Sequence, residues 1–374
     1  MVYLDYAANT PANEAVLETF CETERNFPAN PSSPHPLGQE AGKRLEKASQ
    51  EIAHMLQVKE SELIYTSGAS ESNNLAIKGV AHQYQSRGHH IISTWLEHSS
   101  VNGALAALSK EGFEIDYVRV TKQGQVDLEN LRSLLREDTI LVSICMVDSE
   151  VGLQQPIKEI YQILQDYPHC LLHVDAAQAA GKLPVSLEYA DLLTLAPHKF
   201  YGLNGSGLLL RKDSVLLTPL IDGGMSTTPF RSGTPVLSHI TAMETALRQA
   251  ERKREAWMIS VEKLNHKLRE ALCNFSEVLI NSTTFSIPYI FNLSVPGVRA
   301  EKMQKMLAER GICLSTKSAC CAPGTVSRPV FALTGDRKRA LSTLRVSLSH
   351  LTSENEVDLF LEAFSDCRKQ WRSH

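Results

Sequence analysis

Short apolar runs of strand length recur along the chain from about residue 40 to residue 220: "ELIYTS", "HHIIST", "FEIDYVRV", "TILVSICMV", "CLLHVDA", "DLLTLAP" and "GSGLLLRK". The stretches between them carry a different period. In "GQEAGKRLEKASQEIAHMLQV" the apolar Ala41, Leu45, Ala48, Ile52 and Met55 return every three to four residues, the spacing of one helix face, and "ESNNLAIKGVAHQYQ" reads similarly. Strand-length runs alternating with amphipathic helices predict an α/β fold, a mostly parallel sheet covered by helices.

The pattern changes after the turn-rich "DGGMSTTPFRSGTP". A helical region, "ITAMETALRQAERKREAWMISVEKLNHKLREALCNF", is too long and too charged for an ordinary core helix and reads as a bridge between domains. Beyond it "YIFNLSVPG", "RAEKMQKMLAERG", "ICLSTKSACC" and "TLRVSLSH" predict a smaller α+β lobe. A length of 374 residues exceeds what one hydrophobic core usually supports, which agrees with two units.

Composition narrows the partners. The formal net charge of -4 and a pI near 6.4 provide no basic field for nucleic acid, so small molecules or proteins are expected. The first residues, MVYLDYAANT, have neither a charged leader nor an apolar core, and no run approaches the ~18 apolar residues of a membrane span. A cytoplasmic protein without membrane contact is expected. Eight cysteines are spread thinly over a chain large enough to need no disulfides, so most read as small buried apolar residues. The adjacent pair Cys320 and Cys321 in "STKSACCAPG" stands out. No CxxC spacing or nearby histidine completes a tetrahedral metal site there.

Chemistry is sought at the carboxyl ends of the strands, where open α/β sheets bind ligands. In "YTSGASESNN", Gly68, Ala69 and Ser70 sit between a strand and a helix, where free amides and the helix dipole favour a phosphate. The same residues also suit a helix cap closed by Ser70 or Glu71. "STWLEHSSV" ends a strand with Glu97 and His98, and "LLHVDAAQ" delivers Asp175 with Gln178 one turn later. A buried carboxylate needs a cationic partner, such as a protonated pyridine nitrogen, although a turn-capping aspartate would look the same. In "DLLTLAPHKFYG" Lys199 leaves a core strand directly into a loop. An amine held there suits Schiff-base formation with an aldehyde cofactor.

Taken in order, YLDYAANTP, NPSSPHPLG, TSGASESNNLAIKG, EHSSV, HVDAAQAAGKLP, PHKFYG, RSGTP and SAC resemble the cysteine desulfurases of the NifS/IscS type, class-V aminotransferases of the fold-type I pyridoxal-phosphate enzymes. The resemblance runs nearly end to end. It implies a seven-stranded large domain over 14–254 and a small domain over 1–13 and 255–374 bearing the catalytic cysteine loop. Pyridoxal 5'-phosphate is the implied cofactor, with Lys199 its covalent attachment, Asp175 on the pyridine nitrogen, Gln178 on the phenolic oxygen and His98 stacked on the ring. Ala69, Ser70 and His198 would hold the phosphate, with Thr234 reaching it from the partner of a homodimer. Arg345 would grip the substrate carboxylate, Ser149 and Asn30 would border the substrate, and Cys320 would attack the sulfur of L-cysteine. The products would be alanine and a persulfide for a protein acceptor that the sequence does not name. Lys317 nearby would favour the Cys320 thiolate, and Cys321 reads as a filler or as a second sulfur carrier.

Three positions depart from the family. Ser149 stands where relatives usually have asparagine, Ala196 where many have a phosphate-binding serine, and "GGMSTTPFRSGT" replaces a more polar stretch. Competing readings are an aminotransferase, a cysteine or selenocysteine lyase, or a degenerate homologue that only binds.

Overall fold

The computed structural model describes residues 1–317 and 324–371. Its main sheet has seven strands: β2 (Leu63–Thr66), β3 (His90–Ser93), β4 (Glu114–Tyr117), β5 (Thr139–Cys145), β6 (Leu171–Asp175), β7 (Leu192–Leu195) and β8 (Gly207–Arg211), with β1 (Val2–Tyr3) lying elsewhere. The order is β2-β8-β7-β6-β5-β3-β4, and β8 alone runs antiparallel to its neighbours. Each expected strand run is present. The run at 113–120 is trimmed to four residues at the sheet edge, where half of each strand's backbone lacks a partner. The central β5 is buried at every position, as a strand covered on both faces must be.

Helix Pro36–Leu56 begins on an His35 cap and a proline at its first position, and buries Ala41, Ala48 and Ile52 as the spacing requires. The long helical region is one uninterrupted helix, Leu237–Cys273. Its first half packs on the helices Glu14–Asn26 and Pro36–Leu56, and it also meets the last helix, Glu354–Trp371. A three-stranded antiparallel sheet follows, built from β9 (Leu279–Ile280), β10 (Ile290–Ser294) and β12 (Thr343–Ser347). β1 pairs in parallel with β11 (Ile312–Cys313), which anchors the chain's first residues against its last third. Of the six described cysteines, all free, Cys145, Cys170 and Cys367 are buried while Cys21 and Cys273 are exposed. Among the described residues no helix is long and apolar enough to cross a membrane.

Candidate active site

The carboxyl ends of β2, β3, β6 and β7 converge on a cleft of about 370 Å3 lined by Ala7, Ala8, residues 67–71, His98, Ser149, Ala177, Gln178, His198, Lys199 and Arg345. A 3-10 turn, Pro197–Lys199, follows β7 and brings Lys199 into this cleft. Its Nζ donates to the carbonyls of Ala7 at 2.8 Å and Ala8 at 2.6 Å. Those carbonyls are held in place from both sides: the Ala7 amide donates to the Ser347 hydroxyl, and the Thr10 amide and hydroxyl donate to the His198 carbonyl. Gln178 Nε2 also donates to the Ala7 carbonyl, at 2.8 Å. Burial, and then the neighbouring Lys199, push the His198 imidazole down to about 4, so it is neutral at physiological pH.

Asp175 ends β6, buried. One carboxylate oxygen accepts from Asn73 Nδ2 at 2.8 Å and the other from the Ala177 amide at 3.0 Å. The same Asn73 amide nitrogen donates to the Ser100 hydroxyl at 2.9 Å, and Ser100 in turn meets His98 Nδ1 at 2.9 Å. A continuous polar path therefore runs from Asp175 to His98. The His98 Nδ1 also accepts from the Ser100 amide and caps helix Ser99–Lys110, which fixes the ring's orientation and puts the neutral tautomer's proton on Nε2.

Helix Ala69–Tyr84 opens at Gly68 without a side-chain cap. Glu71 accepts from the Ser67 amide at 2.7 Å, so part of the capping expectation holds, yet Gly68 offers no side chain to the first-turn amides and Ala69 and Ser70 line the cleft. Arg231 Nε bonds the Glu71 carboxylate at 2.9 Å, neutralising a charge that would repel an anion at this helix end. Ala196 precedes the lysine turn, fully buried, and supplies no hydroxyl.

Arg345, on β12, is 1% exposed. One guanidinium nitrogen donates to the Ser149 carbonyl and another to the Asp5 carboxylate, both at 2.8 Å, while the buried Nε has no partner among the described residues. The other Asp5 oxygen accepts from the Ser315 hydroxyl at 2.9 Å. Ser315 lies just ahead of Cys320, which with Cys321 falls outside the described residues. Lys317 donates to the carbonyl and hydroxyl of Thr325, both at 2.9 Å, so side chains beyond either end of that stretch are joined.

Sequence reasoning did not find Asp5, Asn73 or Lys182 as site residues. Only the contact partners of Arg345, Asp175 and Gln178 reveal them. Glu97 was noted, but not its state: it is buried, accepts from Thr94 and from the Cys145 amide, and burial pushes its carboxyl up to about 8. Three expected residues among those described do not line the cleft within this chain, and of these Asp175 lies buried just behind Ala177 and Gln178, which do. Asn30 is exposed and accepts from the Ser32 amide in its own turn. Thr234 lines a neighbouring cleft with Ser67, Ser206 and Arg231.

Residues 2–360 match the family model described as Aminotransferase class-V. The chain is 37% identical over 368 residues to the cysteine desulfurase IscS of Neisseria meningitidis, covering 96% of this chain and 90% of that protein. Among solved structures it is similar to a NifS-like protein (35% identity, TM-score 0.93, 98% of this chain and 99% of that one). It is also similar to SspA in complex with cysteine (30% identity, TM-score 0.82, 94% of this chain and all of that one). With its lysine, carboxylate and arginine gathered at the strand ends of such a sheet, the chain belongs to the class-V aminotransferase family and, within it, to the cysteine desulfurases.

Proposed function

We propose that the protein uses pyridoxal 5'-phosphate held in the Lys199 cleft to take sulfur from L-cysteine onto Cys320 and release L-alanine. The observation that carries this reading is the convergence on one cleft of an amine hung on two carbonyls, an uncapped helix end and a buried guanidinium with an unmet donor. These groups fit the cofactor's aldehyde and phosphate and the substrate's carboxylate, and Asp175 lies behind them as the anion for a pyridine nitrogen. Bound there, the cofactor supplies a carbonyl carbon that captures the substrate amine and a ring that withdraws the electron pair left at Cα.

The chain's own residues supply the rest. Arg345 fixes the substrate carboxylate through paired N–H donors. Lys199, once released, takes the Cα proton and returns a proton to the product, and the Ala7 and Ala8 carbonyls keep its amine close. Ala69, Ser70 and His198 would hold the phosphate, His98 would cover the ring, and Gln178 would contact its oxygen. Ser149 borders the substrate. In the sulfur step a bond forms between the Cys320 thiolate and the substrate sulfur while the Cβ–S bond breaks. The bonding pair stays with the carbon fragment, which takes up protons to become alanine, and Cys320 is left as a persulfide. The sulfur then passes to a protein acceptor. We infer a cytoplasmic homodimer in which Thr234 reaches the partner's phosphate and Asn30 borders the site from its loop, with a large domain over 14–254 and a small domain over 1–13 and 255–374.

The test is incubation with L-cysteine, scoring alanine and protein-bound sulfur together, followed by borohydride reduction and peptide mapping. Equal alanine and sulfur, with label on the Lys199 peptide and loss of both products in Cys320→Ala, is the expected result. Alanine formation that survives Cys320→Ala would favour a lyase instead.

A further inference from the structure

A second lysine lies behind the cleft. Lys182 is 8% exposed, and lysine is rarely buried unless paired. Among the described residues no carboxylate lies within ion-pair distance of it. Its Nζ instead donates to the backbone carbonyl of Gln178 at 3.0 Å and contacts the side-chain Oε1 of Gln178 at 3.4 Å. The ring of Tyr289, just ahead of β10, has its centroid 6.0 Å from the amine. Residues 176–183 form a run of tight turns, with the Ala180 amide on the Ala176 carbonyl and the Leu183 amide on that of Ala179, and Gly181 at φ +74° reverses the chain so that Lys182 comes back against Gln178.

An ammonium donates and never accepts. Lys182 can therefore face only the oxygen of the Gln178 amide, which leaves the NH2 group for the opposite side, and Nε2 does donate to the Ala7 carbonyl there. That carbonyl is also an acceptor of Lys199. The path Lys182, Gln178, Ala7, Lys199 is thus continuous, and its direction is set at the end away from the cleft. With Lys182 removed, the amide could turn over and offer an acceptor instead.

Resting on the function proposed above, we propose that Lys182 is a positioning residue that holds Gln178 with its amide donor towards the cofactor's phenolic oxygen. Its charge also acts on the linkage at Lys199. Both effects have the same sign: a donor to the phenolic oxygen makes that oxygen a weaker partner for a protonated nitrogen, and a nearby cation disfavours a second one. The titratable groups facing this region are few. They are Lys199 and His198 from the turn after β7, His98, Asp175 at the end of β6, and Tyr289. Burial, followed by the charge of Lys199, pushes Lys182 down to about 7, so the ammonium that orients Gln178 and adds its charge is the form present below that pH.

The experiment is a pH titration of the visible absorbance of the cofactor-loaded protein, in wild type, Lys182→Met and Lys182→Arg. Lys182→Met is expected to raise the midpoint by about one pH unit, the size of shift that one lost charge or donor gives, and Lys182→Arg to restore most of it. An unchanged midpoint in Lys182→Met overturns the inference. Should that variant not fold, Gln178→Leu serves, since removing the ordered amide should raise the midpoint too, and no shift there overturns the inference equally. Wild type that never takes up cofactor would instead defeat the proposed function itself.

Discussion

Arg345 and Asp5, 340 positions apart, meet at 2.8 Å in the wall of the cleft. The arginine is fully buried, and among the described residues the aspartate is one of two acceptors on its guanidinium, the other being the Ser149 carbonyl. Asp5 thus occupies one nitrogen of the group that would bind the substrate carboxylate, and Ser315 ties the same aspartate to the strand leading towards Cys320.

Stability should fall and affinity for the substrate should rise when Asp5 becomes asparagine. Asparagine keeps an acceptor for Arg345 but not the charge, and a buried guanidinium with less compensation destabilises the fold, by about 1–3 kcal/mol for a partly exposed pair. The melting temperature should fall by a few degrees. An incoming carboxylate would then no longer be repelled by a resident one, so the KM for L-cysteine should fall. A melting temperature that drops together with a raised KM would show that Asp5 orients the arginine and does not compete for it.

Asn73 is expected to matter as much as a residue that touches substrate. Its side chain bonds both Asp175 and Ser100, and among the described residues its own buried Oδ1 has no partner. Asn73→Ala removes a hydrogen bond to a charged group, worth about 1.5–3 kcal/mol. We expect kcat/KM to fall by roughly 10–100-fold, with the apo protein's circular dichroism unchanged. A loss under twofold would mean that Asp175 is held well enough by the Ala177 amide alone.

The sheet was legible because its strands are apolar runs bounded by turns, and covered strands such as β5 leave no polar face to blur the pattern. Lys199, Asp175 and His98 were legible for a related reason: each stands at or just past the carboxyl end of a strand, where ligand chemistry concentrates. Asp5, Asn73 and Lys182 were not. Asp5 meets its partner only because β1 pairs with β11 and the chain's start is folded back onto β12, a long-range event without a local signal. Asn73 lies on a helix whose spacing reads as ordinary packing, and Lys182 follows the left-handed Gly181 in a turn that carries no signal of its own. Their roles come from which side chain stands opposite. Glu97 shows a third limit, because a carboxylate beside a histidine in sequence says nothing of the complete burial that changes its state.

Glu97 makes stability depend on pH. Its folded value of about 8 lies above its ordinary 4.5, so its contribution is fully present below pH 4.5 and is lost as pH rises through 8. The buried His173 works the other way. Burial pushes it down from 6.5 to about 4, so its contribution is present above pH 6.5 and is lost as pH falls through 4. Glu97→Gln imitates the protonated carboxyl at every pH. The difference in melting temperature between Glu97→Gln and wild type should therefore shift in the variant's favour by several degrees between pH 5 and pH 8. A difference that stays flat would mean that Glu97 is ionised when folded.

Gly207 sets how closely the turn proposed to hold the phosphate can sit on the sheet. It opens β8 opposite Thr66, and a methyl group there would lie 2.5–2.6 Å from the backbone of Gly68 and from the Thr66 hydroxyl. Two of those three contacts are backbone atoms of the residue that opens helix Ala69–Tyr84, so they cannot yield by a side-chain rotation. Gly207→Ala must push the turn and its free amides away from β8. Catalytic groups elsewhere keep their supports, because Lys199 and Asp175 hang on Ala7, Ala8, Asn73 and Ala177. Cofactor affinity should therefore weaken by about 10–100-fold, the equivalent of one or two hydrogen bonds to a charged group. At saturating cofactor kcat should stay within a few-fold of wild type. Equilibrium titration of the apo protein with pyridoxal phosphate, followed by assay at saturation, separates the two, and an unchanged affinity would mean that the phosphate does not sit at this helix end.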